Sequence, residues 1–241
     1  MKKTQWISIE AADGSGRYNA YLCLPPAPGP RGASPGLVLF QEIFGVNAHI
    51  QAVAEQYAMD GFVVIAPDVF WRQAPRVDLG YEGADRERGI ELMKALDPAK
   101  VAEDIATTVA ALRDRPEFGG KHKVGAVGYC LGGRLAYVAA ATAGIDAAVA
   151  YYGGGIQNQL DLAPRVACPM QFHYAGDDPN IPPEAVEKVK AAFAGKDAEF
   201  HLYPGAHHGF NCWARAAYDA PSAALAHGRT VAFLAERLFG H

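Results

Sequence analysis

Short apolar, β-branched runs recur along the chain at 36–40, 62–66, 124–129, 147–152, 170–174 and 199–203. Several are apolar without interruption, as expected of parallel strands covered on both faces; a half-exposed strand would alternate instead. Between them, apolar residues fall at helical spacing over 48–60, 85–96, 98–113, 131–142, 183–194 and 222–238. Asp97-Pro98 and Pro182-Pro183 read as helix starts, because proline's fixed φ and missing N–H suit a first turn. Near the N-terminus, 5–10 and 18–24 flank Asp13-Gly14-Ser15-Gly16 and predict an antiparallel hairpin at the sheet's edge. No repeat, low-complexity tract or long linker interrupts the alternation. The pattern predicts one α/β domain over 1–241, a mostly parallel central sheet with helices on both faces. Ligands of such sheets bind at the carboxyl ends of the strands.

Composition narrows the function classes. The 241 residues are 50% hydrophobic and 20% charged, enough for a sizeable core. A net charge of −4, with basic residues scattered, gives no footprint for nucleic acid. Lys2-Lys3 precedes no apolar segment, and no stretch approaches the roughly 18 apolar residues of a membrane helix. A soluble, cytoplasmic protein is expected, a monomer or small homo-oligomer acting on a small molecule, with no membrane partner. The four cysteines, Cys23, Cys130, Cys168 and Cys212, form no CxxC pair and read as free thiols. Cys23 and Cys168 sit in apolar, strand-like surroundings and are expected in the core.

Cys130 stands apart. The 124–129 strand runs directly into Gly128-Tyr129-Cys130-Leu131-Gly132-Gly133-Arg134, and an alanine-rich helix follows. This is the G-x-nucleophile-x-G elbow with cysteine in the serine position. The nucleophile occupies a tight, strained turn, and the flanking glycines let strand and helix approach closely. The turn exposes the sulfur at a helix N-terminus, where unsatisfied amides favour the thiolate. The Leu131 amide then points to where an oxyanion forms, and the Ile43 amide, in the loop after the first central strand, is the natural second donor.

Hydrolases of this architecture order their triad nucleophile, acid, base. Downstream, the 170–174 strand ends in Ala175-Gly176-Asp177-Asp178-Pro179-Asn180-Ile181-Pro182. Asp178 is favoured over Asp177, because the segment after it turns away while its carboxylate points back. The base follows the next strand, in Ala206-His207-His208-Gly209-Phe210. His208 is favoured over His207, since the following glycine permits a tight backbone path. The remaining histidines, His49, His122, His173, His201, His227 and His241, show no metal-ligand spacing, and no metal or cofactor is expected.

Gln41-Glu42-Ile43-Phe44-Gly45-Val46-Asn47, Pro67-Asp68-Val69-Phe70, Gly128-Tyr129-Cys130-Leu131-Gly132-Gly133, Tyr151-Tyr152-Gly153 and His208-Gly209-Phe210 together strongly resemble the dienelactone hydrolase (carboxymethylenebutenolidase) family, of the α/β-hydrolase superfamily. The resemblance spans nearly the whole chain. It implies a glutamate that holds the resting thiol, matched by Glu42, and freed by an anionic substrate to take the thiol proton. It implies attack by Cys130 on a lactone carbonyl, an acyl-enzyme, and hydrolysis assisted by His208 and Asp178. It also implies two arginines on the substrate carboxylate. One matches Arg86, with Arg88 close enough to leave the register open. The other position holds Cys212, which cannot form a bidentate ion pair; Arg215 is the candidate to reach back. The expected function is hydrolysis of small carboxylated lactones or esters. The alternatives are an esterase or thioesterase for other small substrates, and a thiol-sensing binding protein on the same fold, against which the intact triad order argues.

Overall fold

The computed structural model describes residues 3–27, 34–118 and 123–239. One sheet is built from β1 (Lys3–Glu10), β2 (Arg17–Leu24), β3 (Gly36–Phe40), β4 (Val63–Pro67), β5 (Val124–Tyr129), β6 (Ala147–Tyr151), β7 (Met170–Ala175) and β8 (Ala198–Tyr203). In space they run β1-β2-β4-β3-β5-β6-β7-β8. The β1–β2 and β2–β4 pairs are antiparallel and every other pair is parallel. The predicted hairpin is therefore present, with Glu10 opposite Arg17 beside its turn.

The helices are α1 (Ala48–Met59), α2 (Gly83–Lys94), α3 (Pro98–Arg113), α4 (Leu131–Thr142), α5 (Pro183–Ala192) and α6 (Ala220–Leu238). Asp97 caps α3 as expected, its side chain accepting from the amides of Ala99 and Lys100 at 2.9 and 3.3 Å. The 222–238 pattern opens two residues late. Asp219 caps α6 by accepting from the Ser222 amide, with Pro221 inside the first turn, so capping and not apolar spacing sets the start.

Two glycines on adjacent strands show why the core strands lack alternation. A Cβ on Gly36 would run into Leu112 of α3, and one on Gly125 into Leu238 of α6. Gly125 pairs with Leu37, so neighbouring residues 36 and 37 face different helices. Both faces are covered, and all of β3, β4, β5, β6 and β7 are buried. Each large side chain so buried contributes about 1.5–3 kcal/mol. The hairpin turn is tied to the body by Arg72, which pairs with Asp13 at 3.1 Å and Asp104 of α3 at 2.8 Å.

No helix among the described residues is long and apolar enough to cross a membrane. His122 and His241 lie outside the described residues. Glu42, Cys130, Tyr152, Asp178 and His208 follow the carboxyl ends of β3, β5, β6, β7 and β8 respectively.

Candidate active site

The Cys130 backbone has φ 56° and ψ −115°, a region that side-chain-bearing residues avoid. Neighbouring glycines hold it there. A Cβ on Gly128 would collide with the Gly132 carbonyl, and one on Gly132 with the Phe40 carbonyl. The Cys130 amide donates to the Tyr151 carbonyl at 3.0 Å, pinning the turn to β6. The sulfur is half-buried at the mouth of α4.

Of the paired candidates, the structure brings together Asp178 and His208. The His208 Nδ1 lies 2.7 Å from Asp178 Oδ2, with the Asp178 side chain fully buried. The other Asp178 oxygen accepts from the Asn180 amide at 2.8 Å. Burial lowers the His208 pKa, but the Cys130 sulfur and the Asp178 carboxylate outweigh it and hold it at about 10. Asp177 and His207 are exposed, and His207 spends its Nδ1 on the Asp177 carbonyl. The Tyr152 ring stands edge-on to His208 at 5.0 Å, and Tyr152 itself has φ 36°.

Glu42 is 1% exposed. Burial raises its pKa, and the Arg215 guanidinium opposes that. Arg215 Nη1 donates to Glu42 Oε1 at 2.9 Å, while Oε2 has no hydrogen-bond partner among the described residues. Glu42 is thus held by Arg215 and makes no hydrogen bond to Cys130, which differs from the thiol-holding arrangement expected of a resting state. Successive three-residue turns explain the reach of Arg215. The Cys212 amide bonds the Gly209 carbonyl at 2.9 Å and the Arg215 amide bonds the Cys212 carbonyl at 3.0 Å. These linked turns fold the chain back so that both Cys212 and Arg215 come to Glu42. Gly209, at φ 87°, leaves the room: a Cβ there would strike the guanidinium.

Cys130, His208 and Arg215 line a cavity of about 430 Å³ together with Ile43, Leu131, Arg86 and Arg134, and Glu42 lies behind Arg215. No hydrogen bond among the described residues takes up the Ile43 or Leu131 amide. Arg86 is on the cavity wall, whereas Arg88 pairs with Glu91 at 3.0 Å. The sequence assigned nothing to Arg134, although it directly follows the elbow.

The ligand atoms of Glu42, His49 and Cys212 lie within 4.8 Å of one another. His49, packed on Trp213, is held neutral by burial and by Arg215, with its pKa near 4. The donor types suit a soft divalent cation. The Arg215 guanidinium already occupies the carboxylate, however, and its charge opposes a second cation there.

The dienelactone hydrolase family profile matches residues 18–238. A carboxymethylenebutenolidase of Pseudomonas putida is 36% identical over 234 residues, covering 96% of each chain. Carboxymethylenebutenolidase 1 of Cupriavidus pinatubonensis is 32% identical over 231 residues, covering 95% of each. A Klebsiella pneumoniae protein provisionally named a dienelactone hydrolase superposes with a TM-score of 0.86 at 28% identity, over 98% of this chain and 99% of that one. The chain belongs to the dienelactone hydrolase family and is a carboxylic ester hydrolase on the α/β-hydrolase fold.

Proposed function

We propose that the protein is a cytoplasmic, cofactor-free hydrolase of small carboxylated lactones, of which dienelactone is the type, with Cys130, His208 and Asp178 as its triad. The observation that carries this is the His208 imidazole, bonded to buried Asp178 on one side and facing the Cys130 sulfur on the other. The relatives named carboxymethylenebutenolidase support the substrate class.

In this reading the Cys130 sulfur attacks the lactone carbonyl carbon. Negative charge develops on the carbonyl oxygen and is met by the free Ile43 and Leu131 amides, pre-aligned donors of the kind worth about 3 kcal/mol each. The ring C–O bond breaks, and the departing enolate oxygen takes a proton from His208. Water then attacks the thioester while His208 accepts its proton, and the acid product leaves as the C–S bond breaks. Asp178 keeps His208 in the required tautomer.

Arg86 and Arg215 receive the substrate carboxylate. A carboxylate drawn to Arg215 competes with Glu42 for the same guanidinium. Glu42, with its pKa raised by burial, is then free to accept a proton from the thiol. The test is loss of dienelactone ultraviolet absorbance beside a panel of neutral aryl esters. Fast turnover of the lactone that vanishes in Cys130→Ala supports the reading. Retained activity in that variant removes the nucleophile, and a preference for neutral esters removes carboxylate recognition.

A further inference from the structure

Three arginines line the cavity, and they differ in what neutralises them. Arg215 is paired with Glu42 at 2.9 Å. Arg86 is exposed to water on α2. Arg134 is neither. It lies in the first turn of α4 and is partly buried; the Cys130 sulfur attracts it electrostatically, but no hydrogen bond or ion pair with a described residue fills its donors. A partly buried guanidinium with its hydrogen-bond donors unfilled on a cavity wall points to a ligand that fills them and supplies negative charge.

The sheet order fixes where that charge belongs. Cys130 follows β5, flanked by β3 on one side and β6 on the other. Glu42 follows β3 and holds Arg215 on that side. Arg134 packs instead on Gly155, in the loop after β6; a Cβ on Gly155 would come within 2.8 Å of the Arg134 Nη1. Gly155 has φ 92°, so the space is kept by a residue that both bends the loop and lacks a side chain. Strands β3 and β6 are two spacings apart, roughly 10 Å. The two guanidinium groups therefore flank the nucleophile. On its far side Arg134 also lines an adjoining cleft with Lys94, which makes that end of the cavity cationic as well.

We propose that Arg134 forms a second anion subsite, across Cys130 from the Arg215–Glu42 pair, and that the preferred ligand carries two carboxylates, one for each side of the scissile bond. The first carboxylate rests on the function proposed above; the second does not follow from it. The guanidinium fork suits a carboxylate held through two parallel N–H donors.

The test uses binding, so that it reads independently of turnover. Adipate and hexanoate have six carbons each and differ by one carboxylate. Each is titrated into the whole enzyme by isothermal calorimetry, which reads binding whether or not the ligand alters the reactivity of Cys130. The wild type should bind adipate about tenfold more tightly than hexanoate, about 1.4 kcal/mol. Arg134→Gln should bring the two within about twofold. Arg134→Lys keeps the charge without the fork and should retain an intermediate preference. Equal binding by the wild type overturns the subsite, as does an undiminished adipate preference in both variants. A wild type that prefers adipate yet does not open dienelactone would overturn the proposed reaction and leave the subsite standing.

Discussion

At the scale of single residues, the choice between adjacent candidates was legible because burial separates them. Asp178 is buried and His208 half-buried, whereas Asp177 and His207 are exposed. Arg86 and Arg215 were named through the family resemblance, but the pairing of Arg215 with Glu42 and the place of Arg134 were not legible. Arg215 reaches Glu42 across 173 positions of sequence, and Arg134 is set apart by what it fails to touch. Neither long-range pairing nor its absence leaves a mark in local spacing. The Glu42–Arg215 pair carries its own prediction. Glu42→Gln keeps an acceptor for Arg215 but removes the charge, leaving a buried guanidinium less than fully paired. It should lower stability by about 1–3 kcal/mol in denaturant unfolding. It should also slow alkylation of Cys130 in the presence of a carboxylated ligand. Unchanged alkylation would remove Glu42 from thiol activation.

At the scale of elements, strand and helix identities were readable because two-sided burial and proline-marked starts are local properties. Boundaries slipped where a cap outran the apolar pattern, as at Asp219. The elbow was readable from Gly128 and Gly132, whose Cβ positions are filled by backbone. Its strain was implied by the motif, and the φ of 56° at Cys130 gives it a size of about 1–3 kcal/mol. Glycine carries no such penalty at positive φ, although its unfolded chain is freer by about 0.5–1 kcal/mol. Cys130→Gly should therefore be more stable than Cys130→Ala by about 1 kcal/mol, though both lack the sulfur. Equal midpoints in urea would show that the turn is not strained.

At the scale of the whole molecule, the alternation of elements predicted a mostly parallel sheet but not the strand order. That order decides which loops meet, and so which charges flank Cys130. It also makes the site a determinant of stability against pH. Folding raises the His208 pKa from its ordinary value near 6.5 to about 10. The folded state thus binds this proton more tightly than the unfolded chain does. The resulting stabilisation is fully present below about pH 6.5 and is lost as pH rises through 10. Unfolding free energy should fall across that window. The fall should be shallower in Cys130→Ala, where the sulfur that helps raise the pKa is gone. Identical slopes in the two proteins would uncouple His208 from Cys130.

The linked three-residue turns after β8 have a consequence for how such enzymes can diverge. His208 heads the segment, while Cys212, its sulfur within 4.8 Å of the Glu42 carboxylate, and Arg215, paired with it at 2.9 Å, both lie at Glu42. In the proposed reading, where His208 is the base and Arg215 meets the substrate carboxylate, one short loop carries both tasks at separate positions, so either could change without the other.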